Sequence, residues 1–246
     1  MRFWKWHALG NSYLVVEAPL DADAARRLCD VRYGVGGDGV LAIDGNEVVI
    51  WNPDGSQAEF SGNGARIAAR WLMDRSGSSA VELRVAGRVY AATRRPDGLV
   101  EMAVGQAEVG ELETLEVDGE RIELNEVSVG NPHAVVRGDY DREDLLRIGP
   151  LLERHERFPQ RTNVQLVRVD GPHAVTALVW ERGAGETSAS GSSAVAAASA
   201  AIANGWCESP VSVRMPGGEL QVELDDDNGV VLTGPAEEIC EGDVRP

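Results

Sequence analysis

Short runs of β-favouring residues recur along the chain, separated by glycine, proline, aspartate and asparagine. They are YLVVE, VVIWN, AVELRV, LVEMAV, NEVSV, HAVV, NVQLVRV, AVTALVW, VSVRM, LQVEL and GVVLTG. Runs of this length bounded by turn residues predict strands, so the chain reads as strand-rich. Helical patterning is confined to four places. Ala22 to Gly34 is the first, and Asp141 to His155 the second, where Pro150 should break or kink the helix. The other two open on Ser-Gly: FSGNGARIAARWL, Phe60 to Leu72, and ASGSSAVAAASAAI, Ala189 to Ile202. In the first, Ala65, Ala68, Ala69 and Leu72 share one face while Arg66 and Arg70 take another, which predicts an amphipathic helix. The second is small or apolar nearly all round from Ala194 to Ile202 and meets Asn204-Gly205 as a stop signal, which predicts a buried helix.

Strands therefore run into one central helix in each half of the chain, an α+β organisation of two similar units. The turn-rich stretch Glu108 to Glu126, with VDGE as a hairpin, is the expected junction, dividing 1–112 from 113–235. With 246 residues, either half buries a core without staples. Lys and Arg number 23 against 40 Asp and Glu, a net charge of −17 that argues against nucleic acid or an anionic membrane as partner. Cys29, Cys207 and Cys240 are too few and too scattered for a disulfide framework or a cysteine zinc site, and a reducing compartment fits. MRFWKWHALGNSYLVVEA carries no signal pattern, and no apolar run approaches the ~20 residues that span a bilayer, so a soluble cytoplasmic protein is expected. Trp4 and Trp6 would alternate with Phe3 and Lys5 on an edge strand, as core or as part of an interface.

The two helix openings carry the candidate chemistry. The first N–H groups of a helix have no partner within it, and the aligned peptide dipoles make that end positive, so a carboxylate or phosphate can bind there. Gly62, Gly64, Gly191 and Ser192 let an anion approach the backbone closely. Taken singly, Ser61 and Ser190 are ordinary N-caps. Around them lie ALGNSY, GVGGDG, WNPDGS, VGNPHAV, TNV and WERGAGET, each a turn signal alone. Together these offer neutral amides, one guanidinium and one carboxylate, a set suited to a zwitterionic amino acid.

In that order, HALGN…GVGGDG…NPDGS…SGNGAR…VGNPHAV…TNV…ERGAGET…SGSSA resembles the diaminopimelate epimerase family over essentially the whole chain. The resemblance implies two pseudo-symmetric halves, each a curved, mostly antiparallel sheet wrapped around a central helix, with an amino-acid substrate between them. It also implies that the final segment, 236–246, packs back on the first half, and that the protein is a homodimer needing no cofactor. In such enzymes a thiolate removes the α-proton from one face and a thiol returns one to the other, while the helix N-termini hold the α-carboxylate. Inversion through a planar carbanion needs an acid and a base on opposite faces and oriented donors for the developing charge.

Carried over by position, the resemblance sets Gly62, Asn63, Gly191 and Ser192 at the carboxylate. Asn11, Asn52, Asn131, Asn163 and Arg182 fall at the distal end of the substrate, Glu181 near the amino groups, and His133 and Glu181 beside the catalytic thiols. The family's two cysteines are absent: Ser61 and Ser190 stand in their places. A serine hydroxyl is a far weaker acid than a thiol of pKa ~8.5 and needs a neighbouring base. His133 is a candidate base for one serine. Three readings follow. The chain is an epimerase of lysine or cell-wall precursor synthesis with serines as poor acid/base groups or in place of native thiols; it is a non-catalytic amino-acid binder or regulator; or it isomerises another amino acid through Glu59, Asp54 or Asp38, otherwise solvated turn residues. The three cysteines are expected to be structural, and GVGGDG lacks the strand, helix and acid of a dinucleotide fingerprint. No metal, flavin or pyridoxal site is evident.

Overall fold

A computed structural model describes residues 1–225, 227 and 229–245. The chain divides into two compact units, Met1–Ala103 together with the segment from Thr233 onward, and Val104–Leu232.

The first unit contains β1 (Arg2–Ala8), β2 (Asn11–Val16), α1 (Ala22–Cys29), β3 (Val40–Asp44), β4 (Glu47–Trp51), β5 (Gln57–Ala58), α2 (Gly62–Ser76), β6 (Ala80–Val85), β7 (Arg88–Arg94) and most of β8 (Val100–Gln106). The second holds β9 (Glu108–Val117), β10 (Glu120–Ser128), β11 (Pro132–Arg137), α3 (Arg142–Glu153), β12 (Asn163–Gly171), β13 (Ala174–Glu181), β14 (Gly185–Thr187), α4 (Gly191–Ala203), β15 (Val211–Met215), β16 (Gly218–Leu224) and most of β17 (Gly229–Gly234). Strand β18 (Glu237–Asp243) completes the first unit.

Pairing follows one scheme in both units. In the first, β1 and β2 are antiparallel, β2 and β3 parallel, β3 and β4 antiparallel, β4 and β6 parallel, and β6 and β7 antiparallel. The second repeats this with β10, β11, β12, β13, β15 and β16. Each parallel step needs a crossover, supplied by α1 or α3 at the first and by α2 or α4 at the second. Ahead of the first strand, β18 pairs with β1 just as β9 pairs with β10.

The crossover helices explain the burial. Helix α2 packs on β1, β2, β3, β6 and β7, and α4 on β9 to β13, β15 and β16. Strands on so many sides close off the first two turns of α2, while Asp74, Arg75 and Ser76 at its end stay exposed. Every residue from Gly62 to Ala69 is buried, and Arg66 is 0% exposed. The amphipathic expectation for this segment is therefore corrected, whereas α4 is buried as expected. Outer helices make a second core layer. Leu28 and Ala25 of α1 meet Leu14, Val16, Val40 and Trp51, and Leu145, Ile148 and Leu152 of α3 meet Leu124, Val136, Val164 and Leu166. Each such side chain contributes about 1.5–3 kcal/mol of transfer free energy.

Other expectations are corrected too. Helix α1 stops at Cys29, short of Gly34, because the Asp30 carboxylate accepts the Arg32 and Tyr33 N–H groups and turns the chain. Helix α3 continues through Pro150, whose missing N–H orphans only the carbonyl of Leu146 on the exposed face. Glu108 to Glu126 is no junction: β9 and β10 form a long hairpin around Asp118-Gly119, both at positive φ, inside the second unit. The division falls at Ala103/Val104 and again at Leu232/Thr233. Strand β1 lies between β2 and β18 and is not an edge; Trp6 is buried, and Trp4 meets Trp71 edge-on at 5.2 Å under the Arg75 guanidinium. Among the described residues, no helix is long and apolar enough to cross a membrane.

Candidate active site at two helix starts

Ser61 is the N-cap of α2, extended at φ −142° and ψ 117°; its Oγ accepts the Gly64 N–H at 3.1 Å and shares a 3.0 Å hydrogen bond with the Tyr13 hydroxyl. A side chain at Gly64 would be crowded, since a Cβ would stand 3.1 Å from Leu41 and 3.3 Å from the Ser61 hydroxyl and force one of them to give by a few tenths of an ångström. The Asn63 amide donates to Asn11 Oδ1 at 3.2 Å, and its own oxygen accepts from Arg66 Nη2 at 2.7 Å. Asn11 thus reaches the helix start, while Asn52 hydrogen-bonds to Ser56 within its own turn.

Ser190 caps α4 with nearly the same backbone, φ −143° and ψ 126°. Its Oγ accepts the Ser193 N–H at 3.5 Å, lies 3.5 Å from the Ser192 hydroxyl, and is hydrogen-bonded to the Glu181 carboxyl. Burial pushes the Glu181 carboxyl above its ordinary range, and the Ser190 bond opposes that rise. Glu181 ends β13, and Gly191 and Ser192 open α4, with the short strand β14 between them.

His133 is 0% exposed. Gln165 Nε2 donates to His133 Nδ1 at 3.0 Å and to Ser193 Oγ at 3.0 Å, which leaves the proton on Nε2 to bond Asn131 Oδ1 at 3.1 Å. Burial holds the imidazole at a pKa of about 3, with the Gln165 bond opposing and the Arg182 charge assisting. Both ring nitrogens of His133 are engaged by Gln165 and Asn131 and the ring is neutral, so it does not reach a helix-cap serine as a free base; the titratable side chain interacting with Ser190 is Glu181. Asn163 donates to the Pro132 carbonyl at 3.1 Å and accepts the Arg182 N–H at 3.0 Å, while the exposed Arg182 guanidinium reaches the Gln160 carbonyl.

The alternative acids are turn residues. Asp38 accepts from the Ser12 N–H and hydroxyl, Asp54 from those of Ser56, and Glu59 is exposed. The Ser56 bonds, hydroxyl first, hold Asp54 below its usual range. Nor do the cysteines offer a thiolate. Burial and the nearby Asp38 charge push Cys29 up to about 11, burial raises Cys207, and Cys240 is exposed on β18. No cluster of three or more metal-ligating side chains occurs among the described residues.

Four residues here escaped the sequence pattern: Tyr13, Gln165, Ser193 and Glu153. A signal existed for two. Tyr13 follows Asn11, and His133 follows Asn131, at the i, i+2 spacing of one strand face, after a Gly-Asn step in both halves. Gln165 shares a face with Asn163 inside an otherwise apolar strand, the mark of a satisfied polar network. Glu153, the last residue of α3, had none. Its buried carboxylate accepts from Trp180 Nε1 at 2.8 Å and from the Gly183 N–H at 3.0 Å, bracketing Glu181 and Arg182. Replacing Glu153 by Ala strands both donors, and urea unfolding is expected to show a loss of roughly 2–4 kcal/mol.

Solved structures of similar architecture include epimerases, phenazine biosynthesis proteins and a methylitaconate isomerase. A predicted epimerase from Pseudomonas aeruginosa superposes with a TM-score of 0.74 at 20% identity, covering 99% of this chain and 98% of that one. A hydroxyproline epimerase from Agrobacterium vitis gives 0.72 at 16%, covering 98% and 91%. At such identities the likeness defines the fold.

Sequence comparison is more specific. The diaminopimelate epimerase family model matches residues 3–109 and 126–239. Diaminopimelate epimerases from Azotobacter vinelandii and Stutzerimonas stutzeri are 40% and 39% identical over 273 residues, each covering 100% of this chain and 99% of the relative. One from Desulfitobacterium hafniense is 36% identical, covering 98% and 97%. The chain belongs to the diaminopimelate epimerase family, a family of isomerases.

Proposed function

We infer that this protein binds diaminopimelate and interconverts its LL and meso forms by proton transfer at the α-carbon, with Ser61 and Ser190 as the proton-handling groups and turnover limited by them. The carrying observation is the duplicated helix start, where equivalent serines cap α2 and α4 with matching backbone angles and small or amide-bearing first turns. Such ends bind a carboxylate through backbone N–H groups. Asn63 joins the α2 start at the carboxylate, Asn11, Asn131, Asn163 and Arg182 supply neutral donors and one cation for the remaining polar groups of a diamino diacid, and Asn52 is assigned with them by family position.

The chemistry of the two hydroxyls sets the rate. The described partners of Ser61 are a phenol and a peptide N–H, and those of Ser190 are a serine, a peptide N–H and a carboxyl whose pKa burial raises. Deprotonation of either hydroxyl at neutral pH is unfavourable in that setting. The same reading takes the protein as a cytoplasmic homodimer of lysine or cell-wall precursor synthesis that uses no pyridoxal phosphate.

Calorimetric titration tests the substrate. Both LL- and meso-diaminopimelate are expected to bind, and Arg182→Ala to weaken binding about 10-fold or more through loss of one charge-assisted contact. Absence of binding by both stereoisomers overturns the diaminopimelate reading.

A further inference from the structure

Arg66 is placed where a cation is costly. It lies in the second turn of α2, is wholly buried, and makes only neutral contacts, Nη1 to the Gly62 carbonyl at 3.1 Å and Nη2 to the Asn63 amide oxygen at 2.7 Å. Its Nε has no partner among the described residues, and the first turn of the helix carries no acid. The aligned peptide dipoles add positive potential at that end, so they oppose the guanidinium as well. Burial alone draws it from 12.5 down to about 10. A buried charge without a counter-ion is unfavourable.

The fold does not demand a cation there. Ser61 and Ser190 are equivalent caps, so the position matching Arg66 in α4 is Val195, an equally buried aliphatic residue. The same helix packs inside the same strand scheme with no charge. What distinguishes the α2 start is therefore a second, independent source of positive potential behind its N–H groups.

We propose that Arg66 is a positioning residue and the built-in counter-charge of the α2 half-site, uncompensated in the free protein and neutralised when a ligand carboxylate binds at the helix start. By occupying the Asn63 oxygen, it also fixes which end of that amide presents N–H groups. The proposal rests on reading this helix start as a carboxylate site, and its test separates the two claims.

The first arm needs no ligand. Asn63→Asp sets a permanent carboxylate against Arg66, and thermal melts are expected to rise by about 3 °C or more. That gain should largely disappear in an Arg66→Gln background, because a simple dipole effect of the new Asp would persist there. A fall in Tm, or an equal gain in both backgrounds, overturns the counter-charge. The second arm is calorimetry with meso-diaminopimelate, in which Arg66→Lys stays within about threefold of the parent Kd while Arg66→Gln weakens it about 10-fold or more. Equal affinity in all three overturns the role in binding. Where Arg66→Gln fails to fold, Arg66→Met replaces it in both arms, as the closer match to Val195. If the parent protein binds neither stereoisomer, the substrate assignment fails, and the melts still decide the role of Arg66.

Discussion

Placing thiols at both helix starts is expected to raise α-proton exchange in D₂O by roughly 10³-fold or more, since one well-matched acid/base group contributes about 10²–10⁴. The parent protein with Ser61 and Ser190 should exchange the α-proton of LL- and meso-diaminopimelate slowly or undetectably. A thiol at either position would lie at a helix N-terminus, where the peptide dipoles stabilise the thiolate. Single replacements give the sharper result. In a two-base mechanism each face of the α-carbon is served by one group, so Ser61→Cys is expected to exchange the proton of one configuration and Ser190→Cys that of the other. Only the double variant should epimerise both ways at speed. NMR loss of the α-proton signal, read beside chiral separation of the products, reports exchange and inversion separately. Fast exchange by the unmodified protein would show that the hydroxyls do not limit it, and equal exchange of both stereoisomers by each single variant would sink the two-face assignment.

Acid is expected to destabilise the protein through His133 well before most carboxylates titrate. The sign follows from its surroundings. Burial depresses the folded-state pKa to about 3, against an ordinary value of 6.5 in the unfolded chain. Between those values the unfolded state binds a proton that the native state refuses, so stability rises with pH through this window. The His133 contribution is fully present above about pH 6.5 and is lost as pH falls towards 3. Across the whole window one proton at 1.36 kcal/mol per pH unit amounts to roughly 5 kcal/mol. Urea unfolding at a series of pH values checks this. His133→Gln is expected to be less stable at pH 7, because it disturbs the bonds to Asn131 and Gln165, yet to lose less on acidification. Glu181 works in the opposite sense: its raised pKa favours the protonated native state, so its contribution is present at low pH and is lost as pH rises through the folded value. Removing it in the test protein, as Glu181→Gln, isolates the histidine slope. An unchanged slope after His133→Gln would mean that other groups carry the acid sensitivity.

Much of the scaffold was legible in one dimension. The apolar runs located all eleven strands they predicted, because alternation and β-branched content are local properties. Strands such as RVYAATR and EVGELETLEV escaped, since polar residues take many of their positions and their pairing partners supply most of the stabilisation. Both Ser-Gly helix starts were legible, as was the set of amides around them. The partners within that set were not. Asn52 closes its own turn while Asn11 reaches the helix start, and His133 engages Gln165 and Asn131 and not a serine. Such choices depend on which strand lies beside which helix, and no local spacing encodes that.

The sequence by itself determined that two Ser-Gly openings would cap two helices and that strands would surround them. Those facts follow from cap chemistry, turn residues and ordered motifs, all written within a few residues of each other. Only the tertiary structure decided that the first two turns of α2 are closed off from solvent, that Arg66 is buried there with no acidic partner among the described residues, and that Glu153 holds the segment bearing Glu181 and Arg182. The physical reason is that burial and electrostatic pairing are properties of neighbours in space. A charged residue on a helix reads as solvent-facing until strands distant in sequence close around it.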